Sequence, residues 1–334
     1  MLRMDGFEIC HARTADEAVS LREAHPDAMY VAGGTDLLPN LKHRILRPSH
    51  VIGLGGALPT GWSRVEDPSS PTGWTWEIGA GTRLSQLATL RALPPLAQAA
   101  GLVAGPQIRN MGTLGGNVLL DTRCLYFNQT EFWRKSLGYC LKAEGDWCHV
   151  IGGPKTCVAT QSSDTVPVLL AMGASVRLLG SKGTRELRLR ELYRFDGKDH
   201  LKLQPGELLT HIRVPEPAPG FRGSYQKLRP RGSIDFPQLS VAITGTWDGP
   251  GPQAPVLALD VVVGAINPQP KPIRGLEPFL GRPLDADVIT AISELVRAQT
   301  RPQGSVAGDE GWRRHMAVVY ARRGLGDLCS AGIQ

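Results

Sequence analysis

No apolar run in this 334-residue sequence reaches the roughly 18 residues that a membrane-spanning helix needs. The opening Met1-Leu2-Arg3-Met4-Asp5-Gly6 lacks the apolar stretch of a secretory signal, so the expected location is cytoplasmic. One-sided charge is missing too. The formal charge is only +6, and its 37 basic residues are scattered among 31 acidic ones. Binding nucleic acid needs a gathered basic face, and none is visible. Arg188, Arg190, Arg313, Arg314, Arg322 and Arg323 read as solvated charge that could meet an acidic partner. Neither GxGxxG nor GxxxxGK[ST] occurs, which removes the common nicotinamide and nucleoside-triphosphate fingerprints. There is no internal repeat and no low-complexity segment.

Cysteine is scarce, with six in the chain. In a large chain expected in the cytoplasm that number does not suggest a disulfide framework. Four of the six, Cys124, Cys140, Cys148 and Cys157, fall between Asn117 and Asp164, and such clustering points to a metal or a cluster. Cys10 and Cys329 lie outside and receive no role.

The length suggests about two domains of roughly 150 residues. Thr14 with Glu17 predicts a capped helix towards Arg22. Residues 28–32 read as a buried strand, 37–45 as a helix and 50–54 as another strand, a small parallel unit. Residues 62–73 read as a polar surface excursion, 74–79 as a strand, 84–93 and 96–103 as helices. A hairpin is expected around Ser181-Lys182-Gly183, then a strand over 207–214. Pro215-Glu216-Pro217-Ala218-Pro219-Gly220 is the best linker. Three strands follow, over 223–228, 238–247 and 256–266. Two helices close the chain, one capped by Asp285 and one running over 311–323 and stopping at Gly324. This half reads as an antiparallel sheet with helices on one side.

Two glycine-rich turns stand out. Val31-Ala32-Gly33-Gly34-Thr35-Asp36-Leu37 runs from a strand into a helix, where bare backbone N–H groups can approach a diphosphate. Thr113-Leu114-Gly115-Gly116-Asn117 is a second such turn. Either alone is ordinary punctuation. Together, and with Ser163-Asp164 and Pro167, they resemble the xanthine dehydrogenase and carbon monoxide dehydrogenase family of FAD subunits, as does Arg313-Arg314 followed by Arg322-Arg323 in the last helix. The resemblance covers nearly the whole chain.

The resemblance implies an α+β fold. A two-part, PCMH-type FAD-binding domain over residues 1–215 would combine a small parallel α/β unit with a larger mixed unit. A C-terminal antiparallel sheet with helices would occupy 221–330. It implies that both glycine loops wrap the FAD diphosphate, that Asp164 holds the adenosine ribose side, and that Leu209 and Lys227 touch the flavin end.

Residues 118–161 form an insert relative to simple members of that family. The cysteine gaps of 15, 7 and 8 residues match neither paired CxxC nor the ferredoxin run. Spacing alone leaves zinc, an iron–sulfur cluster and unrelated buried thiols open. Tyr126, Phe127, Phe132, Trp133, Tyr139 and Trp147 would pack the insert with rings. The segments Asp121-Thr122-Arg123-Cys124, Tyr126-Phe127-Asn128-Gln129, Gly138-Tyr139-Cys140-Leu141-Lys142 and Cys148-His149-Val150 resemble one branch, the beta subunits of 4-hydroxybenzoyl-CoA reductase. That likeness implies a [4Fe–4S] cluster on Cys124, Cys140, Cys148 and Cys157, with His149 packing or hydrogen bonding beside it. It also implies an electron-transfer subunit without catalytic residues of its own. Ferredoxin would be the donor, and a [2Fe–2S] subunit and a molybdenum-cofactor subunit the partners.

Overall fold

The structure, a computed structural model, describes residues 3–330; Met1, Leu2 and residues 331–334 lie outside it. Among the described residues no helix is long and apolar enough to cross a membrane.

The first unit is a three-stranded parallel sheet, with His50–Gly53 central between Glu8–His11 and Met29–Val31. Helix Ala15–Ala24 covers it, burying Ala18 and Val19 against Ile52 and Leu54. Thr14 Oγ1 accepts the Glu17 N–H at 3.1 Å, and the Glu17 carboxylate takes the Arg13 N–H at 2.7 Å. The reciprocal bond of the expected capping box therefore falls one residue early. Helix Leu37–Lys42 is shorter than expected, because Arg44 turns left-handed at φ 54°.

The second unit is a five-stranded antiparallel sheet with edge strands Trp62–Glu66 and Gly183–Arg188. The expected surface excursion over 62–73 is thus wrong at its start. Trp62–Glu66 pairs with Trp74–Gly79, and the polar residues belong to the hairpin turn and the exposed strand face. Helices Pro94–Gly101 and Thr165–Ala171 close a large core over this sheet.

The third unit is a four-stranded antiparallel sheet over Phe221–Leu228, Leu239–Trp247, Val256–Gly264 and Lys271–Pro272. Side chains alternate along Leu239–Trp247, so both faces are buried. Ala242 joins the large core of the second unit, whereas Val241 and Ile243 pack under helices Ala286–Gln299 and Glu310–Ser330. Each such buried aliphatic contributes about 1.5–3 kcal/mol. The last helix does not stop at Gly324. A β-carbon there would stand 2.9 Å from Ile243 Cδ1, so this glycine permits close approach to the sheet instead of ending the helix. Arg313 is not solvated charge. It is fully buried and donates to the Gln238, Gln303 and Ala265 carbonyls at 2.8, 2.8 and 2.7 Å. The α+β class expected from the sequence is the class observed.

Candidate functional site

Strand Met29–Val31 runs into the turn Ala32-Gly33-Gly34-Thr35, where Gly34 adopts φ +70°. The second turn is opened by Thr113, whose Oγ1 accepts the Gly116 N–H at 3.1 Å and starts the short helix Leu114–Val118. The first turn lies against the residues that lead into the second, since a β-carbon on Gly33 would fall 1.9 Å from Met111 O and 3.0 Å from Gly112 N. The second turn packs on the end of strand Trp74–Gly79, where a β-carbon on Gly115 would fall 2.8 Å from Ala80 Cβ. On Gly116 it would meet only Thr113 Oγ1, at 3.2 Å.

Between the turns is a cavity of about 480 Å³, a size ordinary for a small-molecule or cofactor site. Its wall includes Val31, Ala32, Gly33, Gly34, Thr35, Asp36 and Leu37 from the first turn. Thr113, Gly115, Gly116, Asn117 and Leu209 line it as well. Sequence reading missed Val103, Ala104, Ile108, Asp121, Glu207 and Phe236 in the same wall. Ala104 is held at φ +40°, and Arg109 donates to the Val103 and Ala104 carbonyls at 2.8 and 3.2 Å. A part-buried arginine bond of this kind leaves no periodic signal. Phe236 sits in an irregular loop with no pattern to single it out.

Asp164 and Lys227 do not line this cavity. Both are buried, and Lys227 Nζ donates to Asp164 Oδ2 at 2.9 Å and to the Leu102 carbonyl at 3.0 Å. Tyr225 donates its hydroxyl to Asp164 Oδ1 at 2.7 Å. Burial pulls the Asp164 carboxyl up and the Lys227 ammonium down from their ordinary values, each towards neutrality. The pair joins the segment that follows the insert to the C-terminal sheet.

The insert is closed at its neck, where Arg123 and Thr160 exchange backbone bonds at 2.8 and 2.7 Å. Asn117 Oδ1 accepts the Ser163 and Thr165 hydroxyls, each at 2.7 Å, so the chain returns beside the second turn. Inside the loop the four clustered cysteines converge. Cys124, Cys140, Cys148 and Cys157 are buried and face one small cavity, with Phe127, Tyr126, Lys142 and His149 in its wall. Successive left-handed residues, Gly138 at φ 72° and Tyr139 at φ 63°, turn the chain into Cys140. Tyr139 is held by its hydroxyl bond to Glu131 at 2.8 Å and by His149 Nε2, 2.7 Å from its carbonyl. Burial pushes the Cys124 thiol up to about 12, and the other three cysteines reinforce the shift. Cys157 is raised to about 11 by burial, against the pull of the Lys142 charge. Cys124 and Cys157 thus hold their protons more tightly than a free thiol, and a soft metal would displace those protons.

Among the described residues no three His, Cys, Asp or Glu side chains are grouped to hold a single metal ion. The four thiols instead line one small cavity of about 10 Å³. The expected ring packing holds only in part. Phe127 is buried, but Phe132 is 83% exposed and Trp147 50% exposed. Cys10 and Cys329 are half-buried, away from this cavity, and Cys329 Sγ lies 3.5 Å from the Leu284 carbonyl.

The two cavities are neighbours. Asp121 stands in the wall of the first and Cys124, three residues on, in the wall of the second, so their α-carbons are separated by at most about 10 Å of extended chain. Two cations bind this stretch. Arg123 pairs with Asp36 and lies 3.9 Å over the Phe236 ring. Lys142 donates to Asp121 Oδ1 at 2.6 Å, to the Gly197 and Thr122 carbonyls at 2.9 and 3.2 Å, and to the Thr122 hydroxyl.

Comparison with known proteins gives this geometry a context. Residues 5–217 match the FAD binding domain in molybdopterin dehydrogenase, and residues 224–328 match the CO dehydrogenase flavoprotein C-terminal domain. The aldehyde oxidoreductase FAD-binding subunit PaoB of Escherichia coli (strain K12) is 33% identical over 261 residues, 74% of this chain and 80% of its own. The carbon monoxide dehydrogenase medium chain of Afipia carboxidovorans is 27% identical over 318 residues, 93% of this chain and 92% of its own. In the solved carbon monoxide dehydrogenase of Hydrogenophaga pseudoflava, one chain superposes with a TM-score of 0.76 over 98% of this chain and 99% of that one. At 23% identity that likeness is one of fold.

Proposed function

The chain belongs to the FAD-binding subunits of the xanthine dehydrogenase and carbon monoxide dehydrogenase medium-chain family, and on that premise we propose that it carries a second redox centre, a [4Fe–4S] cluster on Cys124, Cys140, Cys148 and Cys157. As a member of the family it binds FAD and serves as an oxidoreductase subunit. The observation that carries the second centre is the convergence of four buried thiols on one cavity, three residues from the wall of the flavin-sized cavity.

In this reading Gly33, Gly34, Thr35 and Asp36 meet the FAD diphosphate from one side. Thr113, Gly115, Gly116 and Asn117 meet it from the other, and Leu209 packs near the ring. Flavin exchanges one or two electrons and a cluster exchanges one, which suits a relay. The chain's own part is to position the two centres, to exclude water through Phe127 and its neighbours, and to supply thiolates. It needs no acid, base or nucleophile.

The substrate would react on a molybdenum-cofactor subunit, reached through a [2Fe–2S] subunit. The insert's likeness to the 4-hydroxybenzoyl-CoA reductase branch supports reductive dehydroxylation of that thioester, with ferredoxin as donor and a cytoplasmic complex. A second reading, oxidation of an aldehyde or heterocycle, is supported by the 33% identity to an aldehyde oxidoreductase subunit. Purification of the native complex without oxygen, followed by assays with 4-hydroxybenzoyl-CoA and with aldehydes, separates the two. Turnover of 4-hydroxybenzoyl-CoA with reduced ferredoxin supports the first, and turnover of aldehydes alone removes it. A chain that carries zinc and no flavin bands would remove both.

A further inference from the structure

We propose that Lys142 is a fixed positive charge built into the thiol site to raise the reduction potential of the cluster held there, and that Asp121 sets how much of that charge is felt. The inference rests on the cluster reading given above.

Lys142 shares the cavity wall with all four cysteines, and among the residues lining that cavity it is the one lysine or arginine. Its side chain is 6% exposed. The ammonium is held by Asp121, the Thr122 carbonyl and hydroxyl, and the Gly197 carbonyl, which is more acceptors than it has protons. It also lies 4.7 Å over the Phe127 ring, another wall residue. Packing does not call for a charge here. A methionine would fill the same space without the heavy desolvation that a buried ammonium suffers. The other cation of this stretch, Arg123, is turned to Asp36 and Phe236 on the flavin side.

Reduction of a four-thiolate cluster adds one electron and neither makes nor breaks a bond, so the site becomes more negative. A cation held nearby, where little water screens it, favours the reduced form and raises the potential. Asp121 opposes this effect because its carboxylate is the ammonium's ion-pair partner. His200 Nδ1 lies 3.6 Å from the same carboxylate and Nε2 lies 3.2 Å from the Leu120 carbonyl, so the imidazole also bears on how Asp121 is held. Because Asp121 stands in the flavin cavity as well, one ion pair separates the two centres.

The experiment is a redox titration of the full chain, prepared without oxygen and reduced stepwise with dithionite, in which the paramagnetic signal of the reduced cluster is followed. Iron, sulfide and FAD are measured on each sample. Lys142→Met should shift the cluster to a more negative potential, and Lys142→Arg should restore most of the shift. Asp121→Asn should shift it the opposite way. Lys155→Met, an exposed lysine of the same insert, should leave it unchanged. A merely structural role for Lys142 would lower iron content without opposed shifts. Full iron with an unchanged potential in Lys142→Met overturns the inference and leaves the cluster reading standing. Equal or same-direction shifts in Lys142→Met and Asp121→Asn overturn it also. If Lys142→Met does not retain iron, Asp121→Asn decides alone, and no upward shift there overturns the proposal. Wild-type chain without iron overturns the cluster reading itself, and this inference with it.

Discussion

Arg123 sends its guanidinium across to the Asp36 carboxylate, so the residue before the first thiol of the insert is bound to the first glycine-rich turn. It also covers Phe236 in the wall of the flavin-sized cavity. Removing this arginine should loosen the first turn without emptying the thiol site. A charged hydrogen bond contributes about 1.5–3 kcal/mol, so Arg123→Ala should weaken FAD binding by about ten- to a hundredfold. Titration of FAD into flavin-free protein, followed by quenching of flavin fluorescence, measures it. Unchanged affinity would mean that the turn is set without the ion pair.

The glycines separate into two kinds. A β-carbon on Gly116 would meet only the Thr113 hydroxyl, at 3.2 Å, whereas one on Gly33 would fall 1.9 Å from Met111 O. Gly116→Val should therefore give a folded chain that copurifies with little FAD. Gly33→Val should lose thermal stability as well, since the turns can no longer lie together. Flavin content and melting temperature of both variants check this; a fully flavinated Gly116→Val chain would contradict it.

The Asp164–Lys227 pair is buried and joins two units of the fold. Breaking one partner of such a pair costs about 3–5 kcal/mol, because the other charge is left unpaired in the interior. Lys227→Met should destabilise the chain by that order, and combining it with Asp164→Leu should recover part of the loss. Denaturant unfolding of Lys227→Met, Asp164→Leu and the double variant measures the coupling. Loss of flavin at unchanged stability would instead assign both residues to the cofactor, as the family resemblance implies.

His200 is buried and burial lowers its pKa from the ordinary 6.5, although Asp121 draws it upward. The folded chain thus resists a proton that the unfolded chain accepts below 6.5. Stability contributed by the neutral ring is full above that value and is lost as pH falls through the lowered folded value. Between about pH 7.5 and about pH 5.5 the melting temperature should fall less in His200→Gln than in the wild type. Parallel slopes would show that other groups carry the acid sensitivity.

Much of this was legible in the chain. Thr14, Asp285 and the two glycine turns announce their elements because capping and backbone approach depend on local residue types. The four cysteines announce a site by clustering. Trp62–Glu66 was not legible as a strand, because an exposed edge strand lacks a full apolar alternation. Gly324 misled because a helical glycine that admits a neighbouring side chain looks like a terminator. Arg313 and Lys142 were illegible as buried charges, since only tertiary structure supplies their acceptors. Phe236 and Glu207 reach the cavity from distant loops and carry no spacing signal.

The central claim is that one chain holds both FAD and a cluster on Cys124, Cys140, Cys148 and Cys157. Iron, acid-labile sulfide, zinc and flavin measured per chain, on protein prepared without oxygen, test it most directly. About four iron and about four sulfide with one FAD are expected in the wild type. The Cys140→Ala, Cys148→Ala double variant should lose iron and retain flavin, and Cys10→Ala and Cys329→Ala should leave iron unchanged. Zinc in place of iron, or iron retained in the double variant, would contradict it.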